Sequence, residues 1–220
     1  MMFISRPNNL PIKHFIFILF TGLILLGLQA CSSESVPPLS KLKEDAIILA
    51  FGDSLTFGTG AKSETESYPV ILAQRINRQV INAGISGETT SGGLERLPQV
   101  LKEYQPQLMI LCLGGNDMLR RMSTRVTHDN LRKMIQIAKE QHIEVVLLGV
   151  PEPSVFLSAA DFYSDLAKEF NIPYEGDIIS EILSDNSLKS DTIHPNAQGY
   201  QQMAEAIETL LIKANAIEKR

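Results

Sequence analysis

From residue 46 onward, short unbroken apolar runs alternate with longer stretches in which apolar residues recur every three or four positions. The runs at 46–51, 80–83, 108–113 and 145–150, and a weaker one at 172–174, predict strands. Because apolar residues fill these runs without alternation, the strands are expected to be covered on both faces. The periodic stretches at 68–77, 93–104, 127–141, 159–170 and 197–214 predict helices. In the last of them, Met203, Ile207, Leu210 and Leu211 form one apolar stripe. Strand–helix alternation of this kind predicts an α/β fold, a parallel sheet of about five strands between helical layers. The chain shows no internal repeat and no low-complexity tract.

The first thirty residues break this rhythm. Arg6 and Lys13 precede an apolar run at 15–28, which ends in Leu-Gln-Ala-Cys. That run is short for a bilayer span and has the layout of a secretory signal. The ending resembles a bacterial lipobox, in which Cys31 is lipidated and becomes the first residue of the mature chain. A plain signal peptide with Cys31 incidental is the alternative. The expected organisation is a lipoprotein-type signal at 1–30, a tether at 31–45 containing Pro37 and Pro38, and the folded domain at 46–214. The protein is then exported and membrane-anchored through Cys31, facing the periplasm, or soluble in the periplasm under the plainer reading. With Cys31 so used, Cys112 has no disulfide partner and reads as a packing residue.

Charge narrows the function. Acidic residues outnumber basic ones by 25 to 20 and no basic block occurs, which argues against a surface that tracks nucleic-acid phosphates. No Cys/His cluster has metal-ligand spacing, so neither a metal nor a cofactor is expected. A monomer acting on a small-molecule or lipid substrate is the expectation.

Ligands of parallel sheets bind beyond the carboxyl ends of the strands, and the conspicuous polar motifs fall there. "GDSLTFGTG" follows the first strand, "NAGISGET" the second and "LGGND" the third, while "DTIHPN" precedes the last helix. A serine hydroxyl needs a base within hydrogen-bond reach, a group to orient that base, and donors for a developing oxyanion. Ser54 supplies the hydroxyl and His194 the base. Asp191, three residues before His194, can return its carboxylate to the imidazole across a tight turn. Pro195 stiffens that turn. The Ser54 N–H, the N–H of side-chain-less Gly84 and the Asn116 amide are the candidate oxyanion donors.

These motifs, in this order over residues 46–214, resemble the four blocks of the SGNH (GDSL) hydrolases, and most of all the bacterial thioesterase I / lysophospholipase L1 / arylesterase branch. The stretch "VINAGISGETTSGGLERLP" shares that texture. The resemblance implies a flavodoxin-like three-layer α/β/α fold and hydrolysis of carboxylic esters and thioesters through an acyl-serine intermediate. It implies Ser54 as nucleophile, His194 as base, Asp191 as orienting acid, and Gly84 and Asn116 as oxyanion donors. The loops "MLRRMSTR" and "PEPSVF" lie where the family varies, so the resemblance does not carry a chain-length preference.

Plainer readings stand beside these. Ser54 can cap a turn, Asp53 can hold loop N–H groups, and Asn116 and Asp117 can cap a helix. Glu88, Thr89 and Thr90 read as a helix start; His14, His128 and His142 receive no role. Met118, Leu119, Met122, Val155 and Phe156 are weak substrate-binding candidates, for which core packing is an equal explanation. Among functions, an O-acetyl esterase acting on carbohydrate or peptidoglycan competes with the thioesterase-like reading. A non-catalytic binding lipoprotein on the same scaffold is the third possibility.

Overall fold

The computed structural model describes residues 1–2, 35–153 and 157–219. Residues 3–30 of the expected signal, Cys31, Val155 and Phe156 lie outside these. The chain divides into two units, Met1–Ser35 and Val36–Arg220; the fold is that of the second.

Five strands form one parallel sheet: β1 (Ile47–Gly52), β2 (Gln79–Gly84), β3 (Leu108–Cys112), β4 (Glu144–Leu148) and β5 (Tyr174–Glu175), in the order β2-β1-β3-β4-β5. That order is the flavodoxin-like one, so the expected α/β architecture is the observed one. β1, β3 and β4, the three inner strands, are almost wholly buried, which is why their sequences do not alternate.

The longer helices are α3 (Tyr68–Ile76), α4 (Thr90–Tyr104), α6 (Thr124–Glu140), α7 (Asp161–Phe170), α8 (Ile178–Ser184) and α9 (Ala197–Lys213). Three one-turn helices sit on the connections: α1 (Ser54–Phe57), α2 (Ser63–Glu66) and α5 (Gly115–Leu119). α3 packs on α9, and α4 on α6, which also meets α7. With right-handed crossovers, α3 and α9 cover one face of the sheet and α4, α6 and α7 the other. α6 buries Thr127, Asn130, Leu131, Met134, Ile135 and Ala138, one stripe at helical spacing. α8 was not legible in the sequence as a helix, having only seven residues with which to show a period.

The segment expected as a tether is packed in its described part. Leu39 and Leu42 are buried in the core, and their N–H groups donate to the carbonyls of Ala214 (2.8 Å) and Ala216 (2.9 Å). These two leucines, three positions apart, would otherwise remain in water, and burying them offsets the entropy of ordering the strap. The described core lies entirely within Val36–Arg220, so this unit closes on itself.

Candidate active site

The chain leaves β1 through Asp53 and enters α1 at Ser54. The buried Asp53 carboxylate accepts the Leu55 N–H (3.1 Å), capping that short helix. Ser54 is thereby fixed at the carboxyl edge of the sheet. From the far end of the chain, the loop before α9 brings His194 to it: Ser54 Oγ and His194 Nε2 are 3.0 Å apart. The last helix contributes a second tie, since the Tyr200 hydroxyl donates to the Thr59 carbonyl at 2.7 Å.

Asp191 uses both carboxylate oxygens. Oδ1 accepts the backbone N–H groups of Ile193 (2.8 Å) and His194 (2.9 Å), and Oδ2 meets His194 Nδ1 at 2.8 Å. Partial burial works to raise its pKa, but the hydrogen bonds from the His194 ring and from the two N–H groups outweigh it. The net effect holds the carboxyl below the usual range, so Asp191 is an acceptor only. Nδ1 must then carry the ring proton, and Nε2 faces the Ser54 hydroxyl as an acceptor. The spacing of three residues works because one side chain caps the turn and orients the ring together. Asn196 then caps α9, its side chain accepting the Gln198 and Gly199 N–H groups.

Asn116 Nδ2 donates to the Glu88 carbonyl at 3.0 Å and lies 3.3 Å from Asp53 Oδ2. The longer of these bonds is the weaker, and an oxyanion beside Ser54 could compete for its hydrogen. Burial pushes the Asp53 carboxyl up to about 7, opposed by the Leu55 N–H and the Asn116 amide and assisted by the charges of Glu88 and Asp117. Glu88 forms a two-pronged ion pair with Arg96, through Nε (2.6 Å) and Nη2 (2.5 Å). Arg96 also donates to the Ala83 carbonyl (2.8 Å) and lies over the Phe51 ring, 3.9 Å from its centre. Asp117, fully buried, accepts the Thr90 N–H (2.8 Å) and hydroxyl (2.6 Å) and holds the start of α4.

Gly84 takes a different part from the one expected. β2 continues one residue beyond the predicted end, and Gly84 is still in register with Gly52. Its N–H donates to Asn82 Oδ1 at 3.0 Å rather than facing Ser54. A Cβ at this position would stand 2.2 Å from the Phe57 nitrogen, so glycine is required for close packing against α1. The next glycine of that loop, Gly87, has φ +80°, and a Cβ there would meet only the Arg120 guanidinium, at 3.7 Å. Its N–H has no hydrogen-bond partner among the described residues, and its carbonyl is held by Arg120 (2.8 Å). Gly87 immediately precedes Glu88, the residue that Asn116 grips. The signal was present in "ISGET", but only the true end of β2 separates the two glycines' roles.

Ser54, Asn116 and His194 open onto a cavity of about 530 Å³. Its walls are mostly apolar: Leu55, Leu119, Val150, Pro151, Leu183 and Ile193 among them, with Glu152 the one acidic side chain besides Asp53 among the described residues. Of the substrate-binding candidates, Leu119 lines this cavity. Met118 instead packs on the hydrophobic core and Met122 is exposed on the turn after α5, because the one-turn helix points its successive residues in different directions. Leu183, on α8, and Val150, after β4, were not singled out from the sequence.

Residues 50–202 match the model of a family described as the GDSL-like lipase/acylhydrolase family. The thioesterase 1/protease 1/lysophospholipase L1 of Escherichia coli K12 is 32% identical over 185 residues, which span 80% of this chain and 83% of that protein. An arylesterase of Vibrio mimicus is 30% identical over 202 residues, spanning 87% and 98%. Among solved structures, the crystal structure of TesA is similar with a TM-score of 0.68 at 28% identity, covering 75% of this chain and 97% of that one.

Proposed function

The chain belongs to the GDSL-like lipase/acylhydrolase family, the SGNH hydrolases, and is an ester-hydrolysing enzyme; from that premise we propose that it cleaves carboxylic esters and thioesters bearing medium or long acyl chains, with Ser54 as nucleophile. The observation that carries this reading is the file of hydrogen-bonded groups from Ser54 Oγ to His194 to Asp191, at 3.0 and 2.8 Å, beside a largely apolar cavity.

In this mechanism His194 Nε2 takes the Ser54 proton as Oγ attacks the acyl carbonyl. Asp191 stabilises the imidazolium that results and keeps the ring in place. The oxyanion takes hydrogen bonds from the Ser54 N–H, the Asn116 amide and, in the place first expected of Gly84, the N–H of Gly87. His194 returns its proton to the leaving alcohol or thiol, leaving an acyl-serine. Water, activated by the same base, then releases the acid. The cavity volume lies within the range of small-ligand sites, and its apolar walls favour an alkyl chain over a sugar.

Export with a lipid anchor at Cys31 belongs to this proposal, supported by the Arg6/Lys13 pair, the apolar run at 15–28 and the Leu-Gln-Ala-Cys ending. Among the described residues no helix is long and apolar enough to cross a membrane. The enzyme is proposed to act as a monomer.

The test is turnover by residues 32–220 on p-nitrophenyl esters from acetyl to palmitoyl, with Ser54→Ala alongside. A maximum at medium or long chains that vanishes in the variant is expected. Cleavage of acetyl alone would move the assignment to an O-acetyl esterase, and no Ser54-dependent cleavage would leave a binding protein.

A further inference from the structure

Outside Met1 and Met2, the exposed large apolar side chains among the described residues are Phe57, Ile85, Leu119, Met122, Val126 and Ile193, each between 38% and 48% exposed. They come from four separate stretches of sequence, yet all belong to the loops and first helical turns at one edge of the sheet, the carboxyl edge. Phe57 ends α1 after β1, Ile85 follows β2, and Leu119, Met122 and Val126 follow β3. Ile193 lies in the turn that carries His194.

These loops are joined side to side. Asn82 Nδ2 donates to the Phe57 carbonyl at 3.3 Å, and the Thr59 and Ser86 hydroxyls are 3.0 Å apart. Arg120 donates to the Gly87 carbonyl, and Leu119 and Ile193 line the same cavity. The apolar residues therefore ring the mouth of the active site instead of being scattered singly over the surface, and a rimmed patch of this kind marks an interaction surface.

Its charge points to the partner. Residues 118–128 carry Arg120, Arg121 and Arg125 and no acid, in a chain whose acids outnumber its bases. All three arginines are exposed. Exposed acids of the same edge lie after β1 (Glu64), after β4 (Glu152 and Asp161), after β5 (Asp177) and before α9 (Asp185 and Asp191), and Asp129 follows on α6, so the basic lip is the short stretch 120–125 after β3. Apolar side chains interleaved with arginines fit the headgroup region of an anionic bilayer, where the former enter the acyl boundary and the latter meet lipid phosphates.

We propose that this rim docks the enzyme, mouth first, on an anionic lipid surface, so that ester substrates reach the cavity from the membrane. Docking is independent of Cys31 and of which ester is cleaved, and its failure would leave the catalytic assignment untouched.

Cosedimentation of residues 32–220 with phosphatidylcholine vesicles, with and without 30% phosphatidylglycerol, tests it. Binding is expected only to the anionic vesicles and should weaken with salt. Arg121→Gln/Arg125→Gln should lower the partition coefficient by about fivefold per arginine. Val126→Ser should lower it independently, so either variant alone keeps the test alive should the other misfold. Lys133→Gln/Lys139→Gln, the same charge change farther along α6, should leave binding as it was. All variants should hydrolyse a monomeric short-chain p-nitrophenyl ester at the parent rate. Binding to neither vesicle, equal binding to both, or equal loss in the arginine and lysine pairs overturns the proposal.

Discussion

Asp191 grips His194 twice, taking its backbone N–H on one carboxylate oxygen and its ring Nδ1 on the other, at 2.9 and 2.8 Å. The contact that aligns the imidazole is thus also the one that shapes its loop.

Ser54→Ala and His194→Ala should each lower kcat by about 10⁴-fold or more while leaving the fold intact, because neither side chain is part of the core. Asp191→Asn should cost a comparable factor by presenting the wrong ring tautomer. Steady-state kinetics alongside circular dichroism separates lost chemistry from lost structure. A folded Ser54→Ala protein that retains turnover would sink the mechanism.

Asn116→Ala should reduce kcat by roughly 10² to 10³ with little change in KM, the signature of a donor used chiefly in the transition state. Gly84→Ala should behave otherwise. Its Cβ would meet the Phe57 backbone at 2.2 Å, so the expected effect is a lower melting temperature with a secondary fall in activity. A fully stable but inactive Gly84→Ala protein would return that residue to the oxyanion site.

Asp53 makes stability depend on pH. Its carboxyl sits at about 7 in the folded protein, against an ordinary value of 3.8. Between those values the native state holds a proton that the unfolded chain has released, so this residue's contribution is complete below about pH 4 and declines until about pH 7. The whole excursion is on the order of 4 kcal/mol. Asp53→Asn should therefore gain on the parent across that window and run parallel to it above. Urea unfolding at half-unit pH steps gives the comparison, and parallel curves from pH 4 to 7 would contradict it.

The Arg96–Glu88 pair is mostly enclosed, with side chains 20% and 7% exposed. Arg96→Met should destabilise by about 3–5 kcal/mol, because Glu88 is left charged without a partner. Glu88→Gln/Arg96→Met should recover much of that loss, and chemical denaturation of the three proteins completes the cycle. A double variant as unstable as the single one would mean that Arg96 acts through the Ala83 carbonyl and the Phe51 ring instead.

The sheet was legible because buried strands leave unbroken apolar runs, and the helices because a stripe such as Leu131, Met134, Ile135 and Ala138 keeps its period over many turns. The Ser54, Asn116, Asp191 and His194 set was legible because each lies in a short motif at a strand end or a helix entry. What the sequence concealed depends on distant contacts or on single-residue boundaries. One further residue of β2 separates Gly84 from Gly87, and the Arg96–Glu88 pair closes only once α4 lies against the sheet. Leu183 reaches the cavity from a helix too short to announce itself. Nothing in the sequence around Tyr200 announces the bond its hydroxyl makes to the Thr59 carbonyl, 141 positions away.

The strap that joins Leu39 and Leu42 to Ala214 and Ala216 brings the beginning and the end of this unit into direct contact. A molecule closed in this way has no mechanical need for its own serial order. A circular permutant that opens the chain at another exposed loop and bridges the old ends should assemble the same sheet and the same pocket. The order of the proposed nucleophile first and the proposed base last is a matter of where the chain begins, and the chemistry proposed for them would survive its rotation.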